Sequence, residues 1–124
     1  MQDFSTDRHD ELLGIARFTF VEGGAAEFKR LSARCMEIVR TQDTGTLQYD
    51  VYLDDAETGA VVIERYRDSA ALIEHLRNIG DELMQAVLAT AASVEGETLG
   101  TPSAELRERM SEGPVRLFLP FLSM

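Results

Sequence analysis

From Thr46 to Asp54 the chain alternates Leu47, Tyr49, Val51 and Leu53 with Gln48, Asp50 and Tyr52. That two-residue period predicts a strand with one face turned inward. Asp54-Asp55-Ala56-Glu57-Thr58-Gly59 follows, where Asp bonds nearby backbone and Gly accepts a positive φ, and a β-rich run resumes over Ala60 to Arg67. The pair reads as an antiparallel hairpin. Asp68 then suits an N-cap, and Leu72, Leu76, Ile79 and Leu83 recur at helical spacing with His75 at the edge of their stripe. Tyr49, Glu64, Tyr66 and His75 are thereby placed where they can share a pocket.

The flanks extend this pattern. Leu12 to Glu22 is rich in Ile, Phe, Thr and Val and reads as a strand, ended by Gly23-Gly24 before a helix from about Ala25 to Thr41. The helix after the hairpin runs from about Ser69 to Thr90, with a kink or break expected at Gly80. Ala92 to Leu99 predicts a fourth strand. Thr101-Pro102 predicts a helix start with Pro at the first helical position, Gly113-Pro114 its end, and Val115 to Phe121 a fifth strand. The order β-α-β-β-α-β is that of an α+β, ferredoxin-like antiparallel sheet with helices on one face. The other face then needs cover, which predicts a homodimer closing a dimeric α/β barrel, the tail strand extending the sheet or crossing to the partner. One domain is expected: a polar tail over 1–11, the ferredoxin-like unit over 12–100, and a helix and strand extension over 101–124.

Composition narrows the partners. The chain has 124 residues, 44% hydrophobic and 27% charged, enough for one core. A net charge of −10 argues against nucleic acid and anionic membranes, which select clustered Lys and Arg. The first eleven residues, MQDFSTDRHDE, contain no apolar run, so no signal peptide or membrane anchor is expected and the location expected is cytoplasmic. Cys35, the single cysteine, lies among Phe28, Leu31, Ile38 and Val39, where packing is its expected role.

Most familiar chemistries lack their residues. No glycine-rich dinucleotide loop occurs, and Gly23-Gly24 is a strand-to-helix break. His9 and His75 are the only histidines, and neither forms a pair at metal-ligand spacing. No Gly-x-Ser-x-Gly elbow is present. Glu64 shares a strand face with Val62 and Tyr66, and a carboxylate buried there needs a partner such as His75 or Arg17. Plain structural readings stand beside the functional ones: His75 as a helix-edge histidine bonded to a carbonyl, Glu64 as half of an ion pair, Tyr49 and Tyr66 as core or interface aromatics.

The ordered set of residues resembles the antibiotic biosynthesis monooxygenase (ABM) domain family, which includes small quinol monooxygenases and anthrone oxygenases. That family opens its second strand with a Gly, two residues and a Tyr, ends the hairpin with Glu-Arg-Trp/Tyr-x-Asp, and continues with Ala-Leu and a His. Here stand Gly45 and Tyr49, one residue further apart, then Glu64-Arg65-Tyr66-Arg67-Asp68, Ala71-Leu72 and His75. The likeness covers roughly Leu12 to Leu99 and implies oxidation of a small electron-rich aromatic by molecular oxygen with no cofactor and no metal. On that basis His75 is the expected base, since histidine is neutral yet protonatable near pH 7. Glu64 would orient it, and Tyr49, Tyr66 and Arg17 would bind substrate. Heme-degrading relatives carry an Asn on the first strand and a Trp on the third; this chain has no Trp and no Asn between Leu12 and Glu22, so heme breakdown is not expected. Two other functions fit the same residues: an isomerase of small hydroxyketones using His75 and Glu64, and a non-catalytic module that binds a hydrophobic metabolite.

Overall fold

The computed structural model describes residues 8–124. Of the polar tail expected over 1–11, residues 1–7 lie outside the described residues, and Arg8–Asp10 form a short 3-10 turn. The elements are β1 (Leu12–Phe20), α1 (Gly24–Gln42), β2 (Thr46–Leu53), β3 (Gly59–Tyr66), α2 (Ser69–Ile79), α3 (Asp81–Leu88), β4 (Ala91–Leu99), α4 (Ala104–Met110) and β5 (Val115–Phe118). The sheet order is β2-β3-β1-β4-β5. The first four strands form the antiparallel ferredoxin-like sheet, with Gly14 opposite Glu64 and Ala16 opposite Gly96. β5 joins β4 in parallel, so the sheet is mixed rather than wholly antiparallel, and it is open in the single chain. The parallel pairing follows from α4, which carries the chain back before β5 begins.

Alternation along the strands sorts side chains by face. Phe18 and Phe20 of β1 and Ala60 and Val62 of β3 point under α1, where Phe28 is 1% exposed. The Phe28 ring lies 5.1 Å from that of Phe18 and 4.9 Å from that of Phe20, an aromatic core that fastens α1 to the sheet. A second cluster joins Leu12, Ile73 and Leu106, with Leu72 and Met110 packed against it. Leu106, 1% exposed, anchors the carboxy-terminal extension into the same core. On the opposite sheet face Leu13, Ile15, Val61 and Ile63 are half-buried, among the ion pairs Arg17–Glu97 (3.2 Å) and Arg65–Glu11 (3.1 Å).

The break expected at Gly80 is complete: it takes a φ of 81° and separates α2 from α3, because a positive φ admits glycine at little cost and cannot continue a helix. Two local expectations change. Pro102 is not the first residue of α4; Ser103 is its N-cap, its hydroxyl accepting from the Leu106 amide at 3.2 Å. The buried face of α2 is Ala71, Ile73, His75 and Ile79, while Leu76 is 36% exposed. His75 is thus inside the packed face of α2 and not at its edge. No helix among the described residues is long and apolar enough to cross a membrane.

Candidate active site

The loop from α1 to β2 delivers the site's least expected member. Gly45 runs directly under α2: a Cβ there would sit 2.5 Å from the Cβ of Ala71, so only glycine lets the loop pass so close. The approach brings Asp43, whose side chain is 1% exposed, to His75, 4% exposed. Asp43 Oδ2 lies 2.8 Å from His75 Nδ1 and accepts the Thr46 hydroxyl at 2.7 Å, while Oδ1 accepts the Asn78 amide at 2.8 Å. Burial works against ionisation of Asp43, but hydrogen bonds from Asn78, Thr46 and His75 outweigh it and hold the carboxyl below the usual carboxylate range. An ionised carboxylate only accepts, so Nδ1 of His75 carries the proton given to Asp43. The other ring nitrogen is thereby aimed onward.

Nε2 of His75 faces Oε1 of Glu64 at 4.0 Å. The Tyr66 hydroxyl donates a short hydrogen bond to that same Oε1. The Tyr66 and Tyr49 rings flank the imidazole at 5.4 and 5.6 Å, and Tyr49 lies opposite Glu64 in the β2–β3 register. Burial raises the Glu64 carboxyl above its ordinary value, with the Asp43 charge adding to the rise and His75 and the Tyr66 hydrogen bond opposing it. Burial, and then the charge of Glu64, also push the Tyr66 and Tyr49 phenols up, so both remain protonated donors across the neutral range. The Cys35 thiol, next to Tyr49, is likewise raised by burial, as a packed and unreactive cysteine requires.

This relay opens at one end. Glu64 and Tyr66 line a cavity of about 200 Å³ together with Gly14, Gly96, Leu106 and Met110. Glycines on two adjacent strands leave a floor without side chains, and α4 supplies an apolar wall, a shape that takes a flat ring edge-on to the Glu64 carboxylate. His75 and Tyr49 stand behind Glu64 rather than at the cavity. Four of the five site residues read from the sequence are therefore brought together, with Glu64 and not His75 facing the open space. Arg17 is separated from them, because its odd position on β1 points it through the sheet to Glu97. Sequence reasoning missed Asp43, Thr46 and Asn78; the only signal for Asp43 was an acidic residue two positions before Gly45. It had the tail strand extending the sheet, as β5 does on β4, but gave α4 no part in the site, where the structure makes α4 a wall of the cavity.

A family model described as antibiotic biosynthesis monooxygenase matches residues 13–96. Comparison with curated proteins finds no match. Among solved structures, the chain is similar to MupZ from Pseudomonas fluorescens, with a TM-score of 0.80 and 23% identity over 93% of each chain. It is also similar to a putative antibiotic biosynthesis monooxygenase from Caulobacter crescentus, with a TM-score of 0.63 and 22% identity over 77% of this chain and 92% of that one. SnoaB from Streptomyces nogalater, a cofactor-independent oxygenase, gives a TM-score of 0.60 and 21% identity over 77% of this chain and 96% of its own. At these identities the likenesses show a shared fold.

Proposed function

Because the chain belongs to the antibiotic biosynthesis monooxygenase family, we propose that it is a cofactor-independent monooxygenase of a small electron-rich aromatic, of quinol or anthrone type. The observation that carries this reading is a carboxylate of raised pKa at the inner end of an apolar cavity, backed by the buried, hydrogen-bonded Asp43–His75 pair. A carboxyl raised above its ordinary value is a stronger base than an exposed carboxylate, which suits it to a weakly acidic C–H or phenolic O–H. The cofactor-independent oxygenase SnoaB on the same fold supports the choice of oxygen as the oxidant.

The reaction balances without further reagents. Glu64 takes a proton from the ring, and His75, aligned by Asp43, sets a positive or hydrogen-bonding group behind the newly neutral carboxyl. The ring anion passes one electron to oxygen, and the resulting radical pair joins in a C–O bond. Loss of a second proton from that carbon breaks the O–O bond. For a ring methylene the sum is CH₂ plus O₂ to C=O plus H₂O, with one oxygen atom kept and the other released as water. The Tyr66 phenol is the donor available to an oxyanion next to Glu64. Oxygen uptake on a panel of quinols and anthrones, corrected for autoxidation and run under ¹⁸O₂, is expected to show enzyme-dependent consumption with one labelled atom in the product. Uptake no faster than autoxidation across the panel, or unlabelled product, would remove the reading.

We also assign the half-buried face around Leu13, Ile15, Val61 and Ile63 to a homodimer contact that completes the barrel. Sedimentation equilibrium is expected to return twice the chain mass of 13.8 kDa, and Ile63→Glu to shift it to the monomer; a native monomer at micromolar concentration would refute the contact.

A further inference from the structure

Resting on the reading of the cavity as an aromatic-binding site, we propose that Gly14 is a specificity-determining residue: its bare main chain is the surface on which a substrate of two or more fused rings lies flat beside Glu64. Gly14 is the third residue of β1 and lacks the structural reasons that other glycines of this chain have. It pairs in regular register with Glu64 on β3 and Thr98 on β4, and the register shift on β1 falls at Thr19 and Phe20, so no bulge calls for it. Its φ is not positive, unlike that of Gly80. Nor does close packing require it. A Cβ at Gly14 would meet only the Glu64 Cβ at 3.8 Å and the Glu64 carbonyl oxygen at 3.9 Å, which are ordinary contacts. At Gly45 the same atom would stand 2.5 Å from Ala71, and at Gly96 3.3 Å from Val115.

A glycine inside a regular strand weakens it, through backbone entropy and a missing side chain, and without a bend or bulge it marks a place where another molecule approaches the backbone. The cavity is that place. Gly14 shares the helix-side face of β1 with Leu12 and Phe18, and above it Leu72 and Leu76 of α2 and Leu106 and Met110 of α4 line the same space. The result is a slot with peptide backbone below, apolar side chains above, the Glu64 carboxyl on one side and the buried Thr98 on the other. Its lining runs from Glu64 on β3 across β1 and β4 to Val115 on β5. That is three strand spacings, or about 14 Å, longer than a single six-membered ring. Directly paired cross-strand side chains stand about 5 Å apart, so a side chain at position 14 would rise between Glu64 and Thr98 and take the space a ring face needs. The loss grows with the number of rings that must lie on that floor, which makes position 14 a filter of ring-system width.

Phenol and 2-naphthol serve as probes, since neither has the second hydroxyl or the ring methylene that the proposed oxidation uses. Calorimetric titration of the native protein is expected to favour 2-naphthol by about 10-fold or more. Gly14→Ala and Gly14→Val are expected to weaken 2-naphthol about 5-fold and about 50-fold, with phenol weakened no more than about 3-fold in either. Gly14→Ala is also expected to raise the melting temperature by about 1–5 °C, because alanine fits this strand without strain and restricts the unfolded chain. A lower melting temperature in Gly14→Ala, equal losses for the two phenols, unchanged 2-naphthol binding in Gly14→Val, or native binding of neither phenol would overturn the proposal. The oxygen reading fails separately: the graded loss of 2-naphthol without oxygen uptake on any quinol or anthrone keeps Gly14 in its role and removes the oxygenase, and native-like uptake on anthrones by Gly14→Val does the reverse.

Discussion

Glu64→Gln is expected to lower kcat/KM for the aromatic substrate by about 10²- to 10⁴-fold while making the protein more stable at pH 7. The two effects share one cause. Burial raises the Glu64 carboxyl in the folded chain, so folding disfavours its charged form; its contribution to stability is full below the unfolded pKa of about 4.3 and is lost as pH rises through the higher folded value. An amide of the same shape carries no charge to desolvate, and its oxygen still accepts from the Tyr66 hydroxyl. The gain at pH 7 is expected to be about 0.5–2 kcal/mol in urea unfolding, and to vanish near pH 4, where the native carboxyl is protonated in both states. Unchanged turnover would remove Glu64 from the base role, and a loss of stability at pH 7 would mean that burial of its charge costs nothing.

Asp43→Ala is expected to destabilise the fold by about 3–5 kcal/mol, the scale of removing one partner from a buried acid–base pair. The side chain is 1% exposed and receives the hydrogen bonds of Thr46, Asn78 and His75, all of which lose their acceptor together. The pH dependence has the opposite sign to that of Glu64. Asp43 is held below its ordinary value, so its contribution is present above the unfolded pKa of about 3.9 and disappears as pH falls through the folded one. The stability gap between native and variant is therefore expected to be constant from about pH 5 upward and to close in acid. Thermal unfolding across that range tests both: a gap under about 1 kcal/mol at pH 7, or one that widens in acid, contradicts the role given to Asp43. Asp43→Asn is the sharper probe of function, since it keeps the shape and removes the charge that orders the His75 tautomer.

Much of this architecture was legible in the chain. The alternation from Leu47 to Leu53, the turn before Gly59 and the Asp68 cap correspond to β2, β3 and α2, and Gly80 marks the break between α2 and α3. These features are local: a period or a positive φ is decided by neighbours within a few residues. The grouping of Tyr49, Glu64 and Tyr66 was legible for the same reason, since parity along a strand assigns the face. Arg17 shows where parity was neglected; its odd position on β1, opposite to Phe18 and Phe20, already sends it away from the helices. His75 was placed at an edge because Leu72, Leu76 and Leu83 outweighed it in hydrophobicity. Burial on α2 instead follows the line Ala71, His75, Ile79, where a histidine is admitted because Asp43 satisfies its ring nitrogen.

The sequence by itself determined the element order, the ferredoxin-like class, the family resemblance and the strand face that carries Glu64 and Tyr66, because each depends on periodicity or on spacing along one stretch of chain. Only the tertiary structure decided that Asp43 stands behind His75, that Glu64 rather than His75 meets the cavity, and that β5 runs parallel to β4. These pairs lie tens of residues apart, and no propensity encodes their approach; it is set by which helix packs over which strand, and by a glycine small enough to let one segment pass beneath another.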